Sequence, residues 1–260
     1  EIIMLANRGD AESQFLVGSL CVSGLGKPPD ATEGAKWYRK AADQGHPMAQ
    51  FNLARACFAG SGVTKDPAAG VAWLQKAAAQ GLDVAQYELA ACYEKGVGVA
   101  QDAATAVQWY RKGAELGYAP AQTALGLCYT RGTGVPKDPA QAVAWFTKAA
   151  AQRYAKAQNH LATCYESGFG VAEDRVEALN CYRKAAEQGL VPAQANLGVY
   201  YESGTGTAAD VVEAMKWYLL AAAQGDAPAA EGARNLALRL TQQQRAQAEQ
   251  RVQEFQQARK

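Results

Sequence analysis

The chain has little of what most protein chemistry requires. Its 260 residues include two histidines, His46 and His160, set far apart, with no Cys-x-x-Cys and no His-x-x-x-His, so no metal-ligand set is legible. No serine sits in a G-x-S-x-G elbow or has lysine three positions on. No catalytic residue, metal ligand or cofactor is therefore assigned. No apolar run approaches the roughly 20 residues that span a bilayer. An excess of either charge is also missing, because 26 Lys and Arg stand against 25 Asp and Glu. A net charge of +1 argues against a nucleic-acid or anionic-membrane surface, both of which need a concentrated basic patch. Six cysteines are too few to staple a chain of this length, which has ample core without them. A content of 49% hydrophobic and 20% charged residues belongs to a folded protein.

What is present is a period. Gly9, Gly45, Gly81, Gly117, Gly189 and Gly225 lie at multiples of 36 residues, with Arg153 in the one vacant slot. Trp37, Trp73, Trp109, Trp145 and Trp217 repeat likewise, and Cys181 replaces the missing tryptophan. The pairs Gly24/Gly26, Gly60/Gly62, Gly96/Gly98, Gly132/Gly134, Gly168/Gly170 and Gly204/Gly206 follow the same interval. So do Asp30, Asp66, Asp102, Asp138, Asp174 and Asp210, and no insertion breaks the register. Self-similarity at this period is the mark of a stacked repeat architecture.

Each unit reads as two helices. Helix A carries a leucine, a small residue after it and an aromatic four on, as in Leu125-Gly126-Tyr129. The G-x-G ends it, since glycine takes the left-handed conformation that a helix C-terminus commonly needs. This position after a helix, six times over, argues against a phosphate loop, which follows a strand. Helix B opens at the periodic aspartate, a preferred N-cap. Pro67 and Pro139 follow as first helical residues. Glu33, Gln141, Glu177 and Glu213, three past the cap, predict capping boxes. The expected fold is all-α, a solenoid of about six 36-residue hairpins over residues 10–225, with a capping helix pair over 226–260. The last helix starts at Thr241 and packs through Ala248, Val252 and Phe255. Residues 1–9 align with a bare helix B, and the chain starts at Glu1 rather than Met. The expectation is a remnant of an upstream repeat within a larger, possible multidomain chain.

A single hairpin cannot bury enough surface to hold itself, so the tryptophans and tyrosines are read as core between helices. Cys92, Cys128 and Cys164 share one slot, and Cys21 and Cys57 take the tyrosine slot of their repeats. Neighbouring repeats place equivalent Cα atoms about 9–10 Å apart, beyond the roughly 7 Å of a disulfide. They are read as free buried thiols, which favours a reducing, cytoplasmic setting over a periplasmic or secreted one. Cys164 and Cys181 form the one pair inside a single hairpin.

The unit A-Q-x-x-L-G-x-x-Y-x-x-G-x-G-V, continuing to W-Y-x-K-A-A-x-Q-G and clear over residues 121–153, resembles the Sel-one-like repeat, a relative of the tetratricopeptide repeat. The resemblance implies a right-handed superhelix serving as a non-catalytic adaptor for a protein or peptide ligand. Cysteine-rich members linked to penicillin binding suggest the alternative, a hydrolase or peptidoglycan-related enzyme with β-lactamase-like activity. The cysteine slots of that subgroup hold alanines such as Ala41 and Ala77 here. In the tetratricopeptide relatives helix A lines the concave face. The matching slots give Phe15, Phe51, Asn52, Arg55, Phe58, Tyr87, Glu88, Leu127 and Asn159 as the expected partner-binding set. Aromatics beside arginine are hot-spot residues, and they gather in the first three repeats. The competing reading packs these aromatics under the missing upstream repeat or between adjacent helices.

Overall fold

A computed structural model describes residues 1–25 and 28–259. Among them there are fifteen helices and no strand. The chain divides into two compact units. Residues 1–137 hold α1 (Ile2–Asn7), α2 (Ala11–Ser23), α3 (Ala31–Asp43), α4 (Pro47–Ala59), α5 (Pro67–Ala79), α6 (Asp83–Lys95), α7 (Ala103–Glu115) and α8 (Ala119–Arg131). Residues 138–260 hold α9 (Pro139–Ala151), α10 (Ala155–Ser167), α11 (Arg175–Glu187), α12 (Val191–Ser203), α13 (Val211–Ala222), α14 (Ala227–Ala237) and α15 (Gln242–Gln257). Even-numbered helices up to α12 are the A helices. Within each unit an A helix packs against the B helix that follows it and the B helix before it. The all-α solenoid of helical hairpins is thus observed.

The glycine pair does two jobs, and the sequence revealed one. Gly60, Gly96 and Gly132 end their A helices with φ of 72°, 70° and 74°. The second glycine, also left-handed, lies against the backbone where the preceding B helix begins. A Cβ on Gly98 would run into the Pro67 carbonyl, one on Gly134 into Ala103, one on Gly170 into Pro139. Only glycine permits that approach. Gly26, the first such residue, lies outside the described residues.

The aspartates cap as expected. Asp30 Oδ1 accepts from the Glu33 N–H at 2.9 Å, and Asp66, Asp102, Asp138, Asp174 and Asp210 do the same for their helices. The predicted capping boxes do not close at Glu33, Glu177 and Glu213. The cap N–H is already spent: those of Asp30, Asp174 and Asp210 donate to the Cys21, Tyr165 and Tyr201 carbonyls at 2.8–2.9 Å. The glutamates turn outward instead, Glu33 to Lys36, Glu177 to Asn180 and Glu213 to Lys216. Thr241, which follows no glycine pair, does form the reciprocal box with Gln244.

A buried glutamine ladder joins the hairpins. Gln50 Nε2 donates to the Ala42 carbonyl at 3.1 Å, and Gln14, Gln86, Gln122, Gln158 and Gln194 do likewise eight residues back. Each adds a second donor to a carbonyl in the last turn of the preceding B helix, which already accepts the N–H of the closing glycine or Arg153. The glutamine that closes helix B then donates to the first, Gln44 to Gln14, Gln80 to Gln50, Gln188 to Gln158 and Gln224 to Gln194, all at 2.7–2.8 Å. In the third repeat that closing residue is Leu116, and Gln86 Oε1 is left buried without a partner.

The tryptophan ladder is mainly core. Trp37, Trp73, Trp145 and Trp217 are buried, and a lysine ammonium covers each outer face at 3.9–4.2 Å from the ring centre. Helix α15 lies along α13, with Ala248 fully buried, Phe255 edge-on to Trp217 at 5.2 Å, and Arg251 paired with Glu213 at 2.8 Å.

Candidate interaction surface

Every helix A up to α12 carries a stripe, running from one residue before the leucine slot to six after it, whose outer positions are exposed or half-buried while the slot three after the leucine is buried on α6, α8, α10 and α12. In unit 1 the stripe reads Asn52, Arg55, Ala56 and Ala59 on α4, and Glu88, Ala91, Cys92 and Lys95 on α6. On α8 it reads Ala124, Leu127, Cys128 and Arg131. The i, i+3, i+4, i+7 spacing places each set on one helix face. The alanines leave room between the longer side chains, and two surface cavities result. One, of about 440 Å3, is walled by Val22, Tyr38, Asn52, Arg55, Ala56 and Ala59. The other, of about 410 Å3, is walled by Arg55, Phe58, Ala59, Glu88, Cys92 and Lys95. Arg55 and Ala59 belong to both.

The structure sorts the residues expected here into two sets. Asn52, Arg55, Phe58 and Glu88 come together around the cavities. Leu127, half-buried, lies on the same stripe of α8. The slot two before the leucine faces inward, as the competing reading held. Phe51 is 6% exposed within the core of α3 to α6. Phe15 stacks on His46 at 4.7 Å, and Tyr87 packs on Tyr110 and Tyr118, both at 5.7 Å. Asn159, in unit 2, has its side-chain oxygen buried. Two residues before and two after the leucine are four apart, only about 40° around the axis, and the Arg55 guanidinium lies over the Phe51 ring at 5.9 Å. Phe51 sits at the inner edge of that face, against the core, while Arg55 extends past it to solvent. Phe58 stands between the two sets, its ring lying over Gly70 of α5.

The sequence reading missed Lys95 and Arg131, both exposed. They lie six after the leucine, one residue past the last slot considered, and carrying the stripe from Glu88 to i+7 finds Lys95. Arg55, Lys95 and Arg131 form no ion pair among the described residues.

The five-after slot is matched to helix B. Tyr110 donates to Glu94 at 2.7 Å, Tyr182 to Glu166 at 2.8 Å and Tyr218 to Glu202 at 2.9 Å. Burial, and then the carboxylate it serves, pushes the Tyr110 hydroxyl pKa upward. These glutamates are thus committed inside their own hairpins. Where the second repeat has Phe58 in this slot, its partner slot holds Leu74.

All six cysteines are buried and unpaired, Cys164 and Cys181 included. Burial raises the thiols of Cys92, Cys128, Cys164 and Cys181 to about 11. Such thiols are protonated at neutral pH and poor nucleophiles. No group of three or more metal-ligating side chains gathers among the described residues, nor is any of their helices long and apolar enough to cross a membrane.

Six copies of the Sel1 repeat match the chain, at residues 11–46, 47–82, 83–118, 119–154, 155–190 and 191–226. No curated protein matches it. Among solved structures, a Sel1 repeat protein from Oxalobacter formigenes is 34% identical over 81% of this chain and 84% of its own, with a TM-score of 0.75. The protective antigen c5321 of uropathogenic Escherichia coli, which displays an SLR fold, is 31% identical at a TM-score of 0.59. The match covers 96% of this chain and 62% of the antigen. The immunity protein Pa5087 from Pseudomonas aeruginosa is 25% identical over 84% of this chain and 83% of its own, with a TM-score of 0.52. Proteins built from these repeats are generally non-catalytic scaffolds for protein interaction. With six repeats in unbroken register, the chain belongs to the Sel1 repeat family.

Proposed function

We propose that this chain holds a peptide or a helix of another protein on the A-helix face of residues 1–137, seated across the two cavities that share Arg55 and Ala59. The observation that carries this reading is the off-period chemistry of that face. Residues the repeat dictates are spent on caps, core and ladder, whereas Asn52, Arg55, Phe58 and Glu88 vary between repeats and converge on one surface. A cationic side chain over small apolar hollows, rimmed by an amide and a carboxylate, suits a ligand with alternating apolar and polar groups. Leu127 extends the surface toward α8. Phe15, Phe51 and Tyr87 support it from beneath.

The test is selection of a displayed random-peptide library on the full chain, followed by two variants. Ala59→Trp fills both cavities, and Arg55→Glu reverses the shared charge. Each is expected to weaken the selected peptides by about tenfold or more, the size of a hot-spot loss. The thermal midpoint should stay within a few degrees, since both sites are exposed. Selected peptides indifferent to both variants in a folded protein would remove this face from consideration.

A further inference from the structure

Resting on that reading, we infer that the ligand of this face is an acidic segment whose carboxylates recur every three or four residues, met in turn by Arg55, Lys95 and Arg131. The three cations stand on consecutive A helices, are exposed, and make no ion pair among the described residues. The nearby carboxylates do not neutralise them. Glu94 is held by the Tyr110 hydroxyl, which leaves Glu88 as the one exposed acid on the stripes of α4, α6 and α8. In open solvent an unpaired cation costs nothing. Beneath a docked chain it loses water, and a desolvated charge without a partner is strongly unfavourable. Arg55 and Lys95 line the cavities themselves, so any occupant covers them. A ligand must bring carboxylates, and a basic one is repelled.

The spacing follows from the repeat. Lys95 and Arg131 occupy the same slot one period apart. Consecutive A helices each pack on the B helix between them and so stand about 10 Å or slightly more apart, and an extended chain advances about 3.3 Å per residue. Three residues therefore carry a ligand from Lys95 to Arg131. Arg55 sits four residues earlier in its helix, an offset of about 6 Å along the axis, which stretches that step to three or four. Side chains between the acids drop toward Ala56, Ala59 and Ala91. The corresponding stripes of unit 2 carry Thr163 and Ser167 on α10, and Val199 and Ser203 on α12, with no cation. Ser167 and Ser203 bond back to their own helices at 2.8 Å.

Fluorescence anisotropy with labelled nonapeptides tests this on the full chain. The probes are Glu-Val-Thr repeated three times, an isomer with its three glutamates contiguous, and a lysine-for-glutamate version. The spaced acidic peptide is expected to bind about tenfold tighter than the lysine peptide and severalfold tighter than its isomer, an advantage that shrinks as salt rises. Arg55→Gln, Lys95→Gln and Arg131→Gln should each weaken it about threefold or more, and Glu88→Gln should tighten it. Loss of affinity in Glu88→Gln, or equal binding of the lysine peptide, overturns the inference. Equal binding of the contiguous isomer overturns the spacing. If no acidic probe binds while library-selected neutral peptides still respond to Ala59→Trp, the acidic reading falls and the scaffold reading stands. If selected peptides ignore that variant too, both fall.

Discussion

Helices α4 and α6 in the first unit and α10 and α12 in the second share a leucine slot buried to 0–6% exposure, a glutamine reaching back eight residues, and a glycine at the C-cap. Their exposed stripes differ in charge. One pair offers Arg55, Glu88 and Lys95 above apolar hollows, the other hydroxyls of Thr163, Ser167 and Ser203 folded back on the helix. The contrast separates two kinds of residue that a single sequence without relatives usually mixes. Six internal copies act as their own alignment: what recurs builds the stack, and what varies on an open face is free for a ligand.

The strongest way to break the comparison is to attack a framework position in each unit. Gly98→Ala and Gly170→Ala should cost about the same, roughly 3–4 kcal/mol, because a Cβ in the left-handed region is strained and here also strikes a carbonyl of the preceding B helix. Gly81→Ala is the control. It has φ of 85° but nothing within 4 Å of the added atom, so about 1 kcal/mol is expected. Urea denaturation of the three variants checks this. A Gly98 loss no larger than that of Gly81 would mean that the inter-repeat contact contributes nothing.

The frame of the molecule was legible because its devices are local. An aspartate cap, a left-handed glycine and an apolar stripe act within one helix, and six repetitions make each plain. Contacts between helices were legible only in part. The Ala-Gln and Gln-Gly pairs stood out within the repeat motif, yet a bond from Gln44 to Gln14 spans 30 residues and has no local signature. Spending the Asp30 N–H on Cys21, which voids the capping box, depends on a loop path that no pattern displays. The candidate face divided along the same line. Every slot was borrowed from relatives, and Arg55, Asn52 and Glu88 fall on the open stripe whereas Phe51 is buried in the core. Lys95 was missed because the slots counted ended one residue before it.

Two departures from the frame should be reversible, and both sharpen the comparison by making the repeats more alike. Leu116→Gln restores the ladder in the third repeat. Gln86 Oε1 is buried and unpartnered, whereas Gln14, Gln50, Gln158 and Gln194 each receive a glutamine amide at that atom. Leu116 is 59% exposed, so little burial is lost. A gain of about 1 kcal/mol is expected, the net worth of one hydrogen bond to a group otherwise left wanting.

The smaller reversal is Arg153→Gly in unit 2. Position 153 closes helix α9 where the other repeats use glycine, and Arg153 is the one non-glycine residue with positive φ among the described residues, at 63°. The closing hydrogen bonds hold it there: Arg153 N–H donates to Ala150 at 2.9 Å and Tyr154 N–H to Ala149 at 3.3 Å. After the closing glycines the same bond runs from 3.0 Å at Tyr118 to 3.4 Å at Leu82, so Arg153 keeps the closure the glycines give. Arginine, confined to the left-handed well, keeps it at a strain of about 1–2 kcal/mol. Glycine removes the strain but adds freedom to the unfolded chain. The two effects oppose each other and leave a net gain of about 0.5–1 kcal/mol. A shift of the thermal midpoint upward by one to a few degrees, at about the scale expected for this size, would register it. An unchanged or lower midpoint would mean that the long Arg153 side chain stabilises the stack by more than its backbone strain costs.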